Sequence, residues 1–434
     1  MLTLTERDKT LLWHPFTQEK TAKDIIGITR GSGSYLYDEA GREYIDLISS
    51  WWVNLHGHAH PEIANSICLQ AKTLEHVIFA GYTHTPAVSL CENLGKLLPE
   101  TLQRYFFSDN GSTAVEVALK MAFQYWRNLG NSKRMHFICL EGGYHGDTFG
   151  AMTVGQSSGF HNSFLDALSR VFAIPFPATW DKDLDVDRKE SSSLGALKSY
   201  LEIHGDEIVA IILEPLVQGA SGMRMARPVF FEKVIKLVRS YDILVIFDEV
   251  MTGFGRTGTN FALQQICEVP DFVCLSKGLT GGFLPLALTV TTERVYSAFL
   301  SNEWRYAFAH GHSYTANPIA CAAAVASLEI LERPETKAAL SSLSDAHRKG
   351  LDYLQSRCDF VRCTRVKGAI SAFELILREP DSSKKMASLK YKFQEAGLIL
   401  RPLGNTVYLL PPYCTNLIDL ENSYAKIARI LEEI

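Results

Sequence analysis

Between about residues 100 and 295, short apolar runs alternate with stretches of helical periodicity, the pattern of a mostly parallel sheet covered by helices. The runs predict strands at Arg104–Phe107, Met135–Leu140, Val171–Ile174, Val209–Leu213, Ile243–Phe247, Phe272–Leu275 and Leu286–Val290. Ala114, Val117, Ala118, Met121, Ala122 and Tyr125 share one helical face, with a capping box of Thr113 and Glu116 at its start and Gly130 near its end. Phe230, Val234, Leu237, Val238 and Tyr241 form a second face, opened by Pro228. Residues 30–48 read as a hairpin turning at Glu39–Gly41, and residues 335–434 mix helices with short strands. The expected architecture is α/β. A large domain of residues 50–330 would hold a mostly parallel seven-stranded sheet. A smaller α+β domain would join both chain ends, 1–49 and 331–434, with Arg333–Pro334 as the hinge.

Composition narrows the chemistry. Of 434 residues, 47% are hydrophobic and 21% charged, ordinary globular usage that argues against disorder, collagen or a coiled coil. The formal charge of −5 is spread without long blocks, so no footprint for nucleic acid or an anionic membrane is present. Small-molecule chemistry becomes the leading expectation. The longest apolar run, Ile319–Ala326, falls far below the ~18 residues of a membrane helix, and MLTLTERDKT lacks a signal-peptide core. The nine Cys are scattered singly with no CxxC pair, which reads as reduced, mostly buried thiols in a cytoplasmic protein.

Four features carry chemistry. The buried run of ILVIFDEV ends in Asp248 and Glu249, and ligands of open α/β sheets bind beyond strand carboxyl ends. The run FVCL ends in Ser276-Lys277-Gly278, bringing a lysine to the same edge. Taken alone, these two would more often be an ion pair closing the sheet. In SDNGSTAVE, Asn110, Gly111 and Ser112 lie where a strand turns into a capped helix, a place where backbone N–H groups hold phosphate. In EGGYHGDT, Tyr144 and His145 follow another strand and offer a flat ring. Together they supply a phosphate cradle, an aromatic plate, an acid and an amine. Pyridoxal phosphate needs all four: the amine takes its aldehyde and the acid keeps its ring nitrogen protonated. An acid and a pyridinium about 4 Å apart attract by about 4 kcal/mol at an effective dielectric of ~20, before desolvation is subtracted.

The runs EPLVQGASGM (214–223), FDEVMTGFGRTG (247–258) and LSKGLTGGFLPL (275–286) resemble the class III aminotransferases of the fold-type I pyridoxal-phosphate superfamily over essentially the whole chain. Within that class, WHPFTQ (13–18), SSWWVNLHGH (49–58), GYHGDTFGAM (143–152), HGHSYTANP (310–318) and RPLGNTVYLLPPY (401–413) are similar to the branch that forms 7,8-diaminononanoate in biotin synthesis. The resemblance implies that Lys277 binds the cofactor covalently and moves the proton. Asp248 would contact the pyridine nitrogen, Gly111 and Ser112 the phosphate, and Tyr144 the ring face. His312 and Ser313 would reach the phosphate of a partner subunit in a homodimer whose sites form between protomers. Trp51, Gly311, Arg401 and Phe16 match substrate-binding positions, joined by Tyr144 and Lys277. Arg401 would meet the carboxylate of 8-amino-7-oxononanoate, and Trp52, Asp147 and Tyr408 would line the pocket behind it. The implied donor is S-adenosylmethionine. Phe16 stands where adenosylmethionine-using members often carry Tyr, and His312-Ser313 where they often carry Pro-Thr. Lysine is therefore the alternative donor, while the Trp51-Trp52 pair suits an adenosyl group or sulfonium.

The same sequence admits other readings. GFGRTG (253–258) fits GxGxxG, yet its acidic pair precedes it, whereas a dinucleotide site places its acid about 20 residues later. His56, His58 and His60, with His310 and His312, suggest metal, but no Cys or carboxylate stands at ligand spacing, and a loop near the substrate entrance is favoured. An ω-amine aminotransferase would share the cofactor residues and lack Trp51-Trp52 with Arg401 and Tyr408. An aminomutase would need no external donor, and a non-catalytic scaffold would not require Lys277 and Asp248 both to be intact.

Overall fold

The computed structural model describes residues 2–22, 25–155, 160–169, 171–377 and 382–434. Near the amino terminus β1 (Ile28–Ser32), β2 (Tyr35–Asp38) and β3 (Glu43–Asp46) form an antiparallel meander, one strand more than the expected hairpin. Its β2–β3 turn is the anticipated one: Asp38 accepts from the backbone N–H groups of Ala40 and Arg42 at 2.9 Å each.

Next come β4 (Leu102–Ser108), β5 (His136–Leu140), β6 (Phe172–Ile174), β7 (Ile208–Leu213), the short pair β8 (Val217–Gln218) and β9 (Arg224–Met225), β10 (Leu244–Asp248), β11 (Phe272–Leu275) and β12 (Ala287–Thr292). All but β8 and β9 build one seven-stranded sheet in the order β4-β12-β11-β10-β7-β5-β6, matching the seven predicted runs. The β6-β5-β7-β10-β11 block is parallel, whereas β12 runs antiparallel to both neighbours. Every residue of β7, β10 and β11 is buried. A strand covered on both faces cannot alternate apolar with polar, so these read as continuous apolar runs.

Helix Pro228–Arg239 starts at the predicted proline. Helix Gly111–Asn128 buries the expected face, but its cap differs: Asn110 caps it, with Thr113 as the reciprocal partner. Glu116 instead accepts from the N–H groups of Gly150 (2.6 Å) and Ala151 (3.2 Å), tying the helix to the first turn of the short helix Phe149–Val154 that follows β5.

The carboxyl-terminal part holds β13 (Val361–Lys367), β14 (Ile370–Leu375), β15 (Leu398–Ile399) and β16 (Thr406–Leu409). β15 adds in parallel to β3, pairing Leu398 with Ile45 and Ile399 with Asp46, so the two chain ends share one sheet. Helix Pro318–Leu331 gives way to helix Pro334–Arg357 at Arg333. All nine cysteines are free thiols, but only Cys139, Cys274, Cys321 and Cys358 are buried, fewer than the sequence suggested. Among the described residues no helix is long and apolar enough to cross a membrane.

Candidate active site

Parallel pairing of β10 with β11 sets Asp248 beside Cys274, so Asp248 and Lys277 leave neighbouring strands at the same carboxyl edge. There the structure opens a cavity of about 550 Å³, lined by Phe16, Trp51, Trp52, Gly111, Ser112, Tyr144, Asp147, Asp248, Lys277, Arg401 and Tyr408. These are all the predicted site residues except Gly311, His312 and Ser313. Those three lie outside this chain's cavity, on a loop where His312 Nδ1 is 3.6 Å from Asp109 Oδ2 and the Ser313 carbonyl meets His76 Nε2 at 2.7 Å.

Lys277 follows β11 with φ of 48°, a left-handed conformation unfavourable for a side-chain-bearing residue. Its ammonium has no ion pair or hydrogen bond among the described residues, and Nζ lies 4.5 Å from the centroid of the Trp52 ring. Burial pushes the amine down to about 8, opposed by the pull of Asp248 and Glu214. An amine near neutrality at working pH is a nucleophile and a proton carrier.

Asp248 is held at both oxygens: Oδ2 lies 2.7 Å from His145 Nδ1, and Oδ1 accepts from Val250 N–H at 3.0 Å. Glu249 points elsewhere, accepting from the N–H groups of Ala262 and Leu263 at 2.7 Å each, and burial pushes its carboxyl up to about 7. The adjacent acids thus divide into one site group and one structural clasp.

At the N-terminus of helix Gly111–Asn128, a Cβ on Gly111 would lie 2.6 Å from Val250 Cγ1, so only glycine lets the helix end approach the strand-end loop. Gly146, at φ 122°, leaves room for Ser112 in the same way, its absent Cβ falling 2.0 Å from Ser112 Oγ. Tyr144 stacks near-parallel on His161, and its hydroxyl donates to Asp147 Oδ2 at 2.8 Å. A cradle that a methyl group would fill, a seated carboxylate, a flat ring and an unpaired amine in one cavity fit the phosphate, ring nitrogen, ring face and aldehyde of pyridoxal phosphate.

The opposite wall belongs to the chain ends. Ser49, Ser50, Trp51 and Trp52 all have positive φ (50°, 44°, 73° and 73°), costing roughly 1–2 kcal/mol per residue and tolerated only where the surroundings fix the backbone. Trp52 Nε1 donates to the Tyr408 hydroxyl at 3.1 Å. The Arg401 guanidinium lies 4.4 Å from the Trp51 ring centroid and 5.7 Å from that of Phe16, with no carboxylate partner among the described residues.

Sequence reasoning assigned no role to Glu214 or Phe160, which also line the cavity. Glu214 accepts from Tyr144 and Gly219 N–H groups at 3.0 Å each, and burial pushes it up to about 7. It directly follows β7, so the strand-end rule that singled out Asp248 also pointed to it. GFGRTG is no dinucleotide loop: its Arg256 is buried, donating to the carbonyls of Asn54 (3.0 Å), Trp52 and Pro411 (3.3 Å each). Among the described residues no group of three or more His, Cys, Asp or Glu could hold a metal ion.

A family model described as Aminotransferase class-III matches residues 17–431. The chain is 51% identical over 427 residues to the adenosylmethionine-8-amino-7-oxononanoate aminotransferase of Synechococcus elongatus, spanning 98% of this chain and 99% of that one. It is 39% identical to the protein of that name from Aquifex aeolicus, over 94% and 93% of the two chains. The crystal structure of such an enzyme from Methanocaldococcus jannaschii superposes with a TM-score of 0.91 at 35% identity, covering 99% and 98%. An amine transaminase from an uncultivated Pseudomonas species, solved in its PLP-bound form, gives 0.88 at 28% identity over 97% of each chain. Members of this family depend on pyridoxal phosphate. The chain belongs to the class III aminotransferases and is a transaminase of fold type I.

Proposed function

We propose that this transaminase moves the amino group of S-adenosylmethionine to 8-amino-7-oxononanoate, giving 7,8-diaminononanoate for biotin synthesis in the cytoplasm. The observation that carries this reading is Arg401: a guanidinium stacked on Trp51, without a carboxylate partner among the described residues, across the same cavity as Lys277. An acceptor with a carboxylate at one end and a ketone at the other spans that arrangement. The names carried by the Synechococcus and Methanocaldococcus relatives agree with it.

Pyridoxal phosphate, when bound, supplies an aldehyde that exchanges for an amine and a protonated ring that withdraws electrons from the substrate carbon. Gly111, Ser112 and the first backbone N–H groups of their helix would hold its phosphate, Asp248 its ring nitrogen and Tyr144 its face. Behind Asp248, His145 keeps that carboxylate oriented and shields it from water. Lys277 Nζ takes the proton from the amine-bearing carbon of the donor and, in the second half of the reaction, gives one to the carbonyl carbon of the acceptor. Positioned proton transfer of this kind contributes ~10² to 10⁴ in rate. Arg401 orients the acceptor through its carboxylate, while Trp51, Phe16 and Trp52 form the apolar wall against the substrate chains and the adenosyl group.

The division into residues 50–330 and the joined chain ends puts this cavity in the cleft between two domains. A homodimer accounts for the absence of Gly311, His312 and Ser313 from the lining of their own chain's cavity, since they would complete the partner's site. Exposed Trp13, Ile78, Tyr82, Trp304 and Tyr314 supply apolar surface for such an interface.

The absorption of the bound cofactor, followed while S-adenosylmethionine and lysine are added separately without acceptor, tests the donor. A change with adenosylmethionine alone is expected. A change with lysine alone keeps the acceptor and reverses the donor, and no change with either moves the ω-amine aminotransferase reading to the front.

A further inference from the structure

His58 of HGHAH and the buried Asp46 take no part in the chemistry above, yet Asp46 bonds to His58 and to the turn that carries Trp51. Asp46 ends β3 with no exposed surface. Its Oδ2 accepts from Ser50 Oγ at 2.7 Å and from His58 Nε2 at 2.9 Å, and its Oδ1 accepts from Ile48 N–H at 3.2 Å. Burial alone would raise this carboxyl, but its bonds to His58 and Ser50 hold it below the ordinary range. Ser50 and Trp51 both sit in the left-handed region, with φ, ψ of 44°, 53° and 73°, 44°. Freed from Asp46, Ser50 would relax toward an ordinary conformation and carry the Trp51 indole out of the cavity.

The backbone of the same residue pairs with Ile399, two positions before Arg401. The Asp46 side chain therefore anchors the turn bearing Trp51, while its chain neighbours Ile45 and Leu47, whose N–H groups donate to the Gly397 and Ile399 carbonyls at 2.9 and 3.3 Å, anchor the strand leading to Arg401. A second clasp, Ser49 Oγ donating to the Leu410 carbonyl at 2.7 Å, ties the turn to the same carboxyl-terminal segment.

The hydrogen bonds also fix the state of His58. Asn54 Oδ1 accepts from Gly57 N–H at 2.8 Å, so the amide nitrogen of Asn54 faces His58 Nδ1 at 3.0 Å and donates to it. The imidazole then carries its hydrogen on Nε2 and donates it to Asp46. Its ring sits against Gly31, where a Cβ would fall 2.7 Å from His58 Cβ. Asp46 thus has a full set of donors and no lysine or arginine ion pair among the described residues, an arrangement that serves geometry more than stability.

We propose that Asp46, held by His58, is a positioning residue that locks Trp51 and Arg401 together as the carboxylate-recognising wall. The proposal rests on the reading of Arg401 as the acceptor's carboxylate partner. Asp46→Asn puts an amide N–H₂ group against donors. It is expected to raise KM for 8-amino-7-oxononanoate about tenfold or more, with kcat within about threefold. KM for the uncharged methyl ester of the same acceptor, and for the donor, which lose packing on Trp51 but no charge contact with Arg401, should rise by no more than about threefold. His58→Gln keeps a donor toward Asp46 and an acceptor toward Asn54 and should remain within about threefold of the parent, whereas His58→Phe should reproduce the Asp46→Asn split. This pair decides the matter even if Asp46→Asn fails to fold. Equal losses on acid and ester would mean a merely structural role and overturn the proposal, as would an unaffected His58→Phe. Arg401→Ala in the same series separates the two levels. If it leaves the acid's KM unchanged, the carboxylate reading falls; if it raises KM while Asp46→Asn and His58→Phe do not, the positioning role alone falls.

Discussion

Lys277 sustains two unfavourable conditions at once: a left-handed backbone and an amine removed from water. Desolvation disfavours its charged form, so the folded value of about 8 lies below the ordinary 10.5. Between those values the unfolded chain binds the extra proton, so this group's contribution to stability grows as pH rises from about 8 to 10.5 and is absent below about 8. In cofactor-free protein, acylation of Lys277 followed by mass spectrometry should reach half its maximal rate near pH 8. A half-maximal rate reached only near the ordinary lysine value of 10.5 would contradict the desolvated amine. The lysine and Asp248 were legible in the sequence because each ends an apolar run. The pairing of Asp248 with His145 was not, since nothing in EGGYHGDT tells which of its side chains turns toward β10.

Elements explain how those residues are held. Seven apolar runs became seven strands because burial on both faces leaves an unbroken signature, whereas β8 and β9, two residues each, have too few positions to show a period. The start of helix Gly111–Asn128 was misassigned by one turn: Thr113 has the right chemistry for a cap, but Asn110 holds the extended conformation that a cap requires. That shift matters, because it makes Gly111 and Ser112 the first helical residues, whose N–H groups have no partner inside the helix. Gly111→Ala would press a methyl group against Val250, whose own N–H is fastened to Asp248, so the strain reaches the phosphate end and the acid together. The dissociation constant for pyridoxal phosphate, measured by equilibrium dialysis, should rise about tenfold or more, close to 1.4 kcal/mol. Unchanged cofactor affinity would remove Gly111 from the cradle.

For the whole molecule, the site exists because distant parts of the chain converge: a central sheet edge supplies Lys277 and Asp248, and β3 with β15 bring Trp51 and Arg401 opposite them. Composition and periodicity pointed to joined chain ends, but not to the parallel β3–β15 pair, since two residues of β15 carry no pattern of their own. What one chain does not bring to its own cavity is the 311–313 loop, and a homodimer with shared sites makes a sharp demand of it. Ser313→Glu would place a negative charge beside the partner's phosphate, and Lys277→Ala would remove the amine within its own chain, so either homodimer should be nearly inactive. When the two variants are co-expressed, a mixed dimer holds one site with an intact lysine facing an unaltered loop. Random pairing makes half the dimers mixed, with one sound site in two, so the preparation should recover about a quarter of the parent activity. If each loop served its own chain, both sites of the mixed dimer would be defective and no activity would return.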